Sequence, residues 1–188
     1  MSGIVLPGEP LTDGPTALRP WRDTDVSDLV AACQDPEISR WTAVPRPYRE
    51  TDARAYLLYR YDAIHAGTAA PFAIVAAAGG GLLGSVALNE IEPGQARAQV
   101  GYWLAREARG AGHATRAVRT ICAWGFEALG LERIELLAST RNAASQRVAE
   151  RAGFTREALL RSYMRGSQGR EDMVAFGLLR DESASGGR

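Results

Sequence analysis

The chain has 188 residues, equal numbers of acidic and basic side chains, and an apolar fraction of 46%. That length and composition suit one globular domain with ample chain for a core. A net charge of zero argues against nonspecific nucleic-acid binding, and no apolar run approaches the ~20 residues that a membrane helix needs.

Residues 1–14 are rich in Pro and Gly and are expected to be a flexible leader, with no basic-then-apolar signal segment. Thr16 to Trp21 reads as a first strand. Asp23 to Cys33 reads as a helix capped by Asp23 or Thr24, with Val26, Leu29 and Val30 on its apolar face. Arg40-Trp41 and Val44-Pro45-Arg46-Pro47 are expected to be irregular, because each Pro forbids helix continuation. Thr51 is a candidate cap for a helix through Ala66, whose Tyr56, Tyr59 and Tyr61 are expected to pack with hydroxyls at the rim.

Pro71 to Ala77 and Leu82 to Ile91 are predicted strands, joined by Gly79-Gly80-Gly81. Pro93-Gly94 marks a hairpin turn into Val100-Gly101-Tyr102-Trp103-Leu104, a run of β-branched and aromatic residues. The tight run Arg109-Gly110-Ala111-Gly112-His113-Ala114 follows. An amphipathic helix comes next, with Val118, Ile121, Cys122, Gly125 and Leu129 on one face and Gly130 as its cap. Glu132 to Ala138 reads as a buried strand. Asn142 to Ala152 is a short helix ended by Gly153, with Phe154 folding back on it. Two final strands, Phe154 to Leu160 and Met173 to Leu179, precede a tail over 183–188 expected to be disordered.

All 22 basic residues are Arg, and they are unevenly placed. Residues 1–105 carry a net charge of −4, residues 106–170 a net +6 and the remainder −2. The positive part holds the glycine run, which suits an anionic ligand there and a cationic one opposite. Cys33 and Cys122 lie far apart in helical patterns, so a disulfide framework is not expected and the reducing cytoplasm is. His65 and His113 lack ligand-like neighbours in sequence, so no metal site is expected.

Strand, glycine loop, helix is the order that makes an anion site. Glycines let the backbone approach a ligand, and the first amides of a helix point outward at the positive end of its dipole. Two patterns fit. Gly110-x-Gly112-x-x-Thr115 has two of the three glycines of a dinucleotide fingerprint, with Glu132 about where its ribose-binding acid would fall. Arg109, Gly112 and Ala114 match the acetyl-CoA loop Q/R-x-x-G-x-G/A in full.

The flanks extend the second match. Gly101-Tyr102-Trp103-Leu104 precedes the loop. Asn142-x-x-Ser145, then Gly153-Phe154, then Leu178-Leu179-Arg180-Asp181-Glu182 follow it. Over Leu18 to Glu182 the chain resembles the GNAT acetyltransferases, in particular the RimJ/RimL type that acetylates ribosomal-protein N-termini. The resemblance implies an acetyltransferase domain over 15–182. It implies an α/β (α+β) fold with a single mixed, mostly antiparallel sheet flanked by helices, whose two central strands splay between Tyr102 and Leu136. It implies acetyl-CoA as cosubstrate and no metal. Amides of Arg109, Gly110, Ala111, Gly112, His113 and Ala114 would hold the phosphates, and backbone groups at Trp103 and Leu104 the acyl arm. A bulge in that strand would free an amide for the thioester carbonyl.

Asn142 is both a helix cap and a candidate cofactor contact. Ser145 is the candidate proton donor to the departing thiolate. For the general base, Gln99 stands where related enzymes often carry Glu, and Gln cannot take a proton. Glu90 is the candidate instead, expected to face Arg97 and to act through a water; an ion pair with Arg97 is the plainer role. Glu92 is the other candidate but lies close to the turn, and Tyr163 is a candidate to donate or orient near the sheet's open end. His113 is expected to point outward without an acid–base role, and Cys122 to be a core thiol.

The reaction implied is acetyl transfer to a primary amine in a ternary complex, in a monomer or homodimer with no nucleic-acid or membrane partner. A weak base, an acidic N-terminal half and the resemblance all favour the α-amine of a protein or peptide. A small-molecule amine, a non-catalytic acyl-CoA-binding domain and a nucleotide-dependent oxidoreductase are the alternatives.

Overall fold

The computed structural model of the protein describes residues 3–166 and 169–183. Its strands are β1 (Leu11–Asp13), β2 (Thr16–Arg19), β3 (Ala70–Ala76), β4 (Leu82–Glu92), β5 (Arg97–Leu104), β6 (Arg133–Ser139), β7 (Thr155–Gly166) and β8 (Gly169–Leu179). They form one sheet in the order β1-β2-β3-β4-β5-β6-β8-β7. Every neighbouring pair is antiparallel except β5 with β6.

The helices are α1 (Val26–Ala32), α2 (Pro36–Trp41), α3 (Glu50–His65), α4 (His113–Ala128), α5 (Ala143–Arg151) and α6 (Arg180–Ser183). Helix α4 buries the predicted stripe: Val118, Ile121 and Cys122 pack with Leu88, Ile134 and Phe176 in the main core. Gly125 lets it settle, since a Cβ there would lie 2.6 Å from Leu88 Cδ1. A second cluster holds α1, α2 and α3 over the opposite face through Leu29, Ile38, Tyr48 and Ala53. Each large side chain buried this way contributes about 1.5–3 kcal/mol.

Several expectations change. The leader is not loose throughout: Leu11–Asp13 pairs with Thr16–Leu18, and the Ile4 amide donates to the Ile64 carbonyl at 2.9 Å. Ile4, Leu6 and Leu11 pack on the main core, and that burial holds the segment down. Arg40 and Trp41 are helical, because Asp35 caps α2 and Pro36 occupies its first position, where a missing N–H costs nothing. Asp52, not Thr51, closes the start of α3, accepting from the Arg49 amide at 2.8 Å. Of the three tyrosines only Tyr56 packs inward, its hydroxyl 3.1 Å from Ser85 Oγ; Tyr59 and Tyr61 are exposed. The predicted tail, apart from Ser183, lies outside the described residues. Among the described residues no helix is long and apolar enough to cross a membrane.

Candidate active site

The sheet opens at its parallel junction. β5 and β6 pair only through Arg97↔Arg133, Ala98↔Ile134 and Gln99↔Glu135. Beyond that point β5 stays paired with β4 as far as Leu104↔Gly84, and β6 stays paired with β8 as far as Ser139↔Met173. The two central strands therefore part, and the backbone groups of β5 that face away from β4 lose their strand partner. No bulge is needed at Trp103 or Leu104: the β4–β5 register runs unbroken there, and its irregularity lies between Asn89 and Glu92. A cavity of about 800 Å³ fills the gap, walled by residues 100–104 on one side and 136–139 on the other.

The glycine loop closes one end. Gly110 and Gly112 have φ of 83° and 82°, a left-handed conformation that other residues adopt at a cost. Gly112 precedes the first residue of α4, so the free amides of the first turn face the cavity end at the positive pole of the helix. Arg109, Gly110, Gly112, His113 and Ala114 line the cavity; Ala111 lies outside the lining, its carbonyl accepting from Arg116 Nη1 at 2.9 Å. The Arg109 guanidinium donates to the Leu104 carbonyl at 2.9 Å and pairs with Asp35 Oδ2 at 2.7 Å, clamping the loop to β5. His113 does not point outward. Its Nδ1 lies 2.8 Å from the hydroxyl of buried Thr16, because β2 runs against the start of α4.

The first turn of α5 forms the opposite wall. Asn142 caps the helix, its Oδ1 accepting from the Ser145 amide at 3.0 Å. That bond holds Ser145 in the first turn, where its Oγ accepts from the Tyr102 hydroxyl at 3.2 Å. Both residues line the cavity. Burial pushes the Tyr102 phenol above its ordinary value, and the bond to Ser145 only partly offsets this. Tyr102 therefore remains a proton donor across the neutral range. With its oxygen accepting from Tyr102, Ser145 can direct its own proton to a third group. The sequence places Tyr102 on a strand but cannot show that it meets a helix residue 43 positions away.

The carboxylates fall differently from the expectation. Glu90 is exposed, outside the cavity lining, with φ of 50° in the β4 irregularity. That irregularity shifts the register, so Glu92 pairs with Arg97 at 2.9 Å and Asn89 stands opposite Gln99. Tyr163 is 52% exposed and also outside the lining. Among the described residues, the carboxylates that line the cavity are Glu37 and Glu171. Glu37 accepts from Trp41 Nε1 at 3.1 Å and pairs with Arg40 at 3.3 Å. Glu171 accepts from Ser139 Oγ at 2.6 Å and pairs with Arg141 at 2.9 Å. Neither has a motif in the sequence to mark it; only the approach of α2 and of the β7–β8 hairpin to the gap does. Cys122 is buried in the core, and burial raises its thiol, so it is no nucleophile.

Arg40, Arg109, Arg147, Arg151 and Arg165 share the lining with those two acids, so the cavity is positive. A glycine loop on a helix N-terminus, a slot along an open strand edge and a hydroxyl pair at its side suit a polyphosphate with a slender acyl arm.

The comparisons agree with that geometry. Residues 16–155 match the family described as Acetyltransferase (GNAT) domain. The chain is 30% identical over 166 residues to the "Uncharacterized N-acetyltransferase p20" of Bacillus licheniformis, covering 87% of this chain and 93% of that one. Its fold superposes on RimJ of Mycobacterium smegmatis, solved with CoA-disulfide, with a TM-score of 0.81 at 23% identity, covering 89% and 83% of the two chains. It superposes on the RimL ribosomal L7/L12 alpha-N-protein acetyltransferase, solved with coenzyme A, with a TM-score of 0.85 at 19% identity, covering 93% and 99%. The chain belongs to the GNAT acetyltransferases and is an acetyl-CoA-dependent N-acetyltransferase.

Proposed function

We propose that this enzyme acetylates the N-terminal α-amine of a protein or peptide in the cytoplasm, by direct attack in a ternary complex. One observation carries the reading: both carboxylates that line the cavity are already engaged, Glu37 by Arg40 and Trp41, Glu171 by Ser139 and Arg141. Each oxygen of the two carboxylates already has a partner, so neither presents an open oxygen to an incoming amine. An amine that deprotonates near neutrality is therefore the acceptor such a site can use. α-Amines titrate near ~7.7–8.0 and Lys side chains near ~10.4, so at pH 7 roughly a tenth of the former are neutral against about one in two thousand of the latter. The RimL enzyme of matching fold is itself named for α-N-protein acetylation.

The residues divide the work as follows. The loop amides of Gly110, Gly112, His113 and Ala114 bind the phosphates of acetyl-CoA. The open edge of β5 at Trp103 and Leu104 holds the acyl arm and offers a backbone amide to the carbonyl oxygen as charge develops there. Ser145 gives its proton to the thiolate as the C–S bond breaks. Tyr102, donating to Ser145 Oγ, lowers the cost of that loss, and solvent returns the proton. The proton shed by the new amide leaves to water.

The test is a pair of peptides, one with only its N-terminus blocked and one with only its Lys blocked. The free α-amine should win by at least about tenfold in kcat/KM at pH 7, with activity rising through about pH 8. Tyr102 should produce no fall in that range, since its phenol is held above its ordinary value. Preference for the free Lys would overturn the reading.

A further inference from the structure

Asp35 touches two walls of the cavity at once. Its Oδ1 accepts from the Glu37 amide at 3.0 Å and so caps α2. Its Oδ2 lies 2.7 Å from Arg109 Nη2, an ion pair by distance without hydrogen-bond alignment, with the Asp35 side chain 12% and the Arg109 side chain 37% exposed. The same Arg109 nitrogen donates to the Leu104 carbonyl at 2.9 Å. One carboxylate thus joins the start of α2, the first residue of the glycine loop and the end of β5.

Besides this contact, helix α2 is anchored through Ile38 in the second core cluster. It is six residues long, far below the length at which an isolated helix is stable, and Ile38 is its buried residue. It nevertheless presents Glu37, Arg40 and Trp41 to the cavity that Tyr102 and Ser145 also line. The loop, by contrast, continues into the well-buried α4. Whatever restrains the loop is transmitted to α2 through the Arg109–Asp35 pair.

We propose that Asp35 is a positioning residue for the amine acceptor, locking α2 to the cofactor loop so that acetyl-CoA on the loop firms the wall against which the acceptor lies. The inference rests on the reading of this cavity as the acetyl-transfer site, with the acceptor entering along α2. Anionic phosphates at the loop restrain Arg109, Arg109 restrains Asp35, and Asp35 sets the position of α2.

Asp35→Asn separates this role from capping, because Asn caps a helix about as well as Asp while it removes the charge facing Arg109. Amide exchange over residues 38–41 is measured with and without saturating CoA, alongside CoA affinity by calorimetry and steady-state kinetics with a tripeptide bearing a free α-amine. In the wild type, CoA should slow exchange in α2 at least about threefold. In Asp35→Asn the slowing should vanish with CoA affinity within about threefold, KM for the peptide at least about fivefold higher and kcat within about twofold. Arg109→Gln tests the same link from the loop side and should also abolish the slowing. Retention of the CoA-induced slowing in Asp35→Asn, or a wild-type peptide KM, overturns the proposal. A wild-type enzyme that ignores the peptide would sink the α-amine reading alone, because the exchange measurement needs no acceptor.

Discussion

Replacing Gly112 by Val should damage acetyl-CoA binding and stability by separable amounts. Gly112 has φ of 82°, and a Cβ there would stand 2.7 Å from Arg116 Nη1, which donates to the Ala111 carbonyl at 2.9 Å. Holding a non-glycine residue in the left-handed region costs about 1–2 kcal/mol. Displacing the Arg116 side chain forfeits an exposed hydrogen bond worth about 0.5–1 kcal/mol. The fold should lose about 1.5–3 kcal/mol in total, which lowers Tm by roughly 3–12 °C in a chain of this size. The branched side chain also stands where phosphate would approach the loop amides. CoA affinity should therefore fall at least about tenfold, or about 1.4 kcal/mol. Gly110→Ala supplies the calibration: its φ of 83° imposes the same backbone strain, but no atom lies within 4 Å of the added Cβ. Thermal unfolding measures the first effect and titration calorimetry with CoA the second. A folded Gly112→Val protein with unchanged CoA affinity would refute the cradle of loop amides.

Ser145→Ala should lower kcat about a hundredfold with KM for acetyl-CoA within about twofold, and a wild-type kcat would show that the hydroxyl carries no proton. Tyr102→Phe keeps the ring that fills the slot and removes only the bond to Ser145, so its kcat should fall about five- to tenfold, near the ~1 kcal/mol of one hydrogen bond; a loss as large as that of Ser145→Ala would make Tyr102 the direct donor. Asp25, 5% exposed, pairs with Arg19 at 2.6 Å. Burial pushes its carboxyl up, but the bonds from the Arg19 guanidinium and the Arg22 amide prevail and hold it below the usual carboxylate range. Its stabilisation is thus fully present above the unfolded value near ~3.9 and is lost as pH falls through the lower folded value. Asp25→Asn should cost about 3 kcal/mol in urea unfolding at pH 7 and much less near pH 2; an equal deficit at both would refute the assignment.

The parts of the site that the amino-acid order by itself determined are local ones. Gly110 and Gly112 make the turn because left-handed φ suits glycine, and the helix that follows carries its own apolar stripe into the core. Asn142 caps α5 through an amide three residues away, and Gly153 ends that helix with φ of 96° while the Phe154 amide folds back onto Ala149. The motifs that frame these pieces also carried the family and, with it, the splay between β5 and β6. What only the tertiary structure decided depends on register and on the approach of distant elements. An irregularity between Asn89 and Glu92 gave the partnership with Arg97 to Glu92 and left Glu90 in solvent. A strand formed inside the predicted leader because its apolar residues found a core to join. The hydrogen bonds Tyr102–Ser145 and Thr16–His113 and the ion pair Arg109–Asp35 join residues far apart in the chain. Propensity and periodicity act over a few neighbouring residues. Pairing register, strand divergence and the packing of a short helix such as α2 are settled only when the whole sheet is assembled.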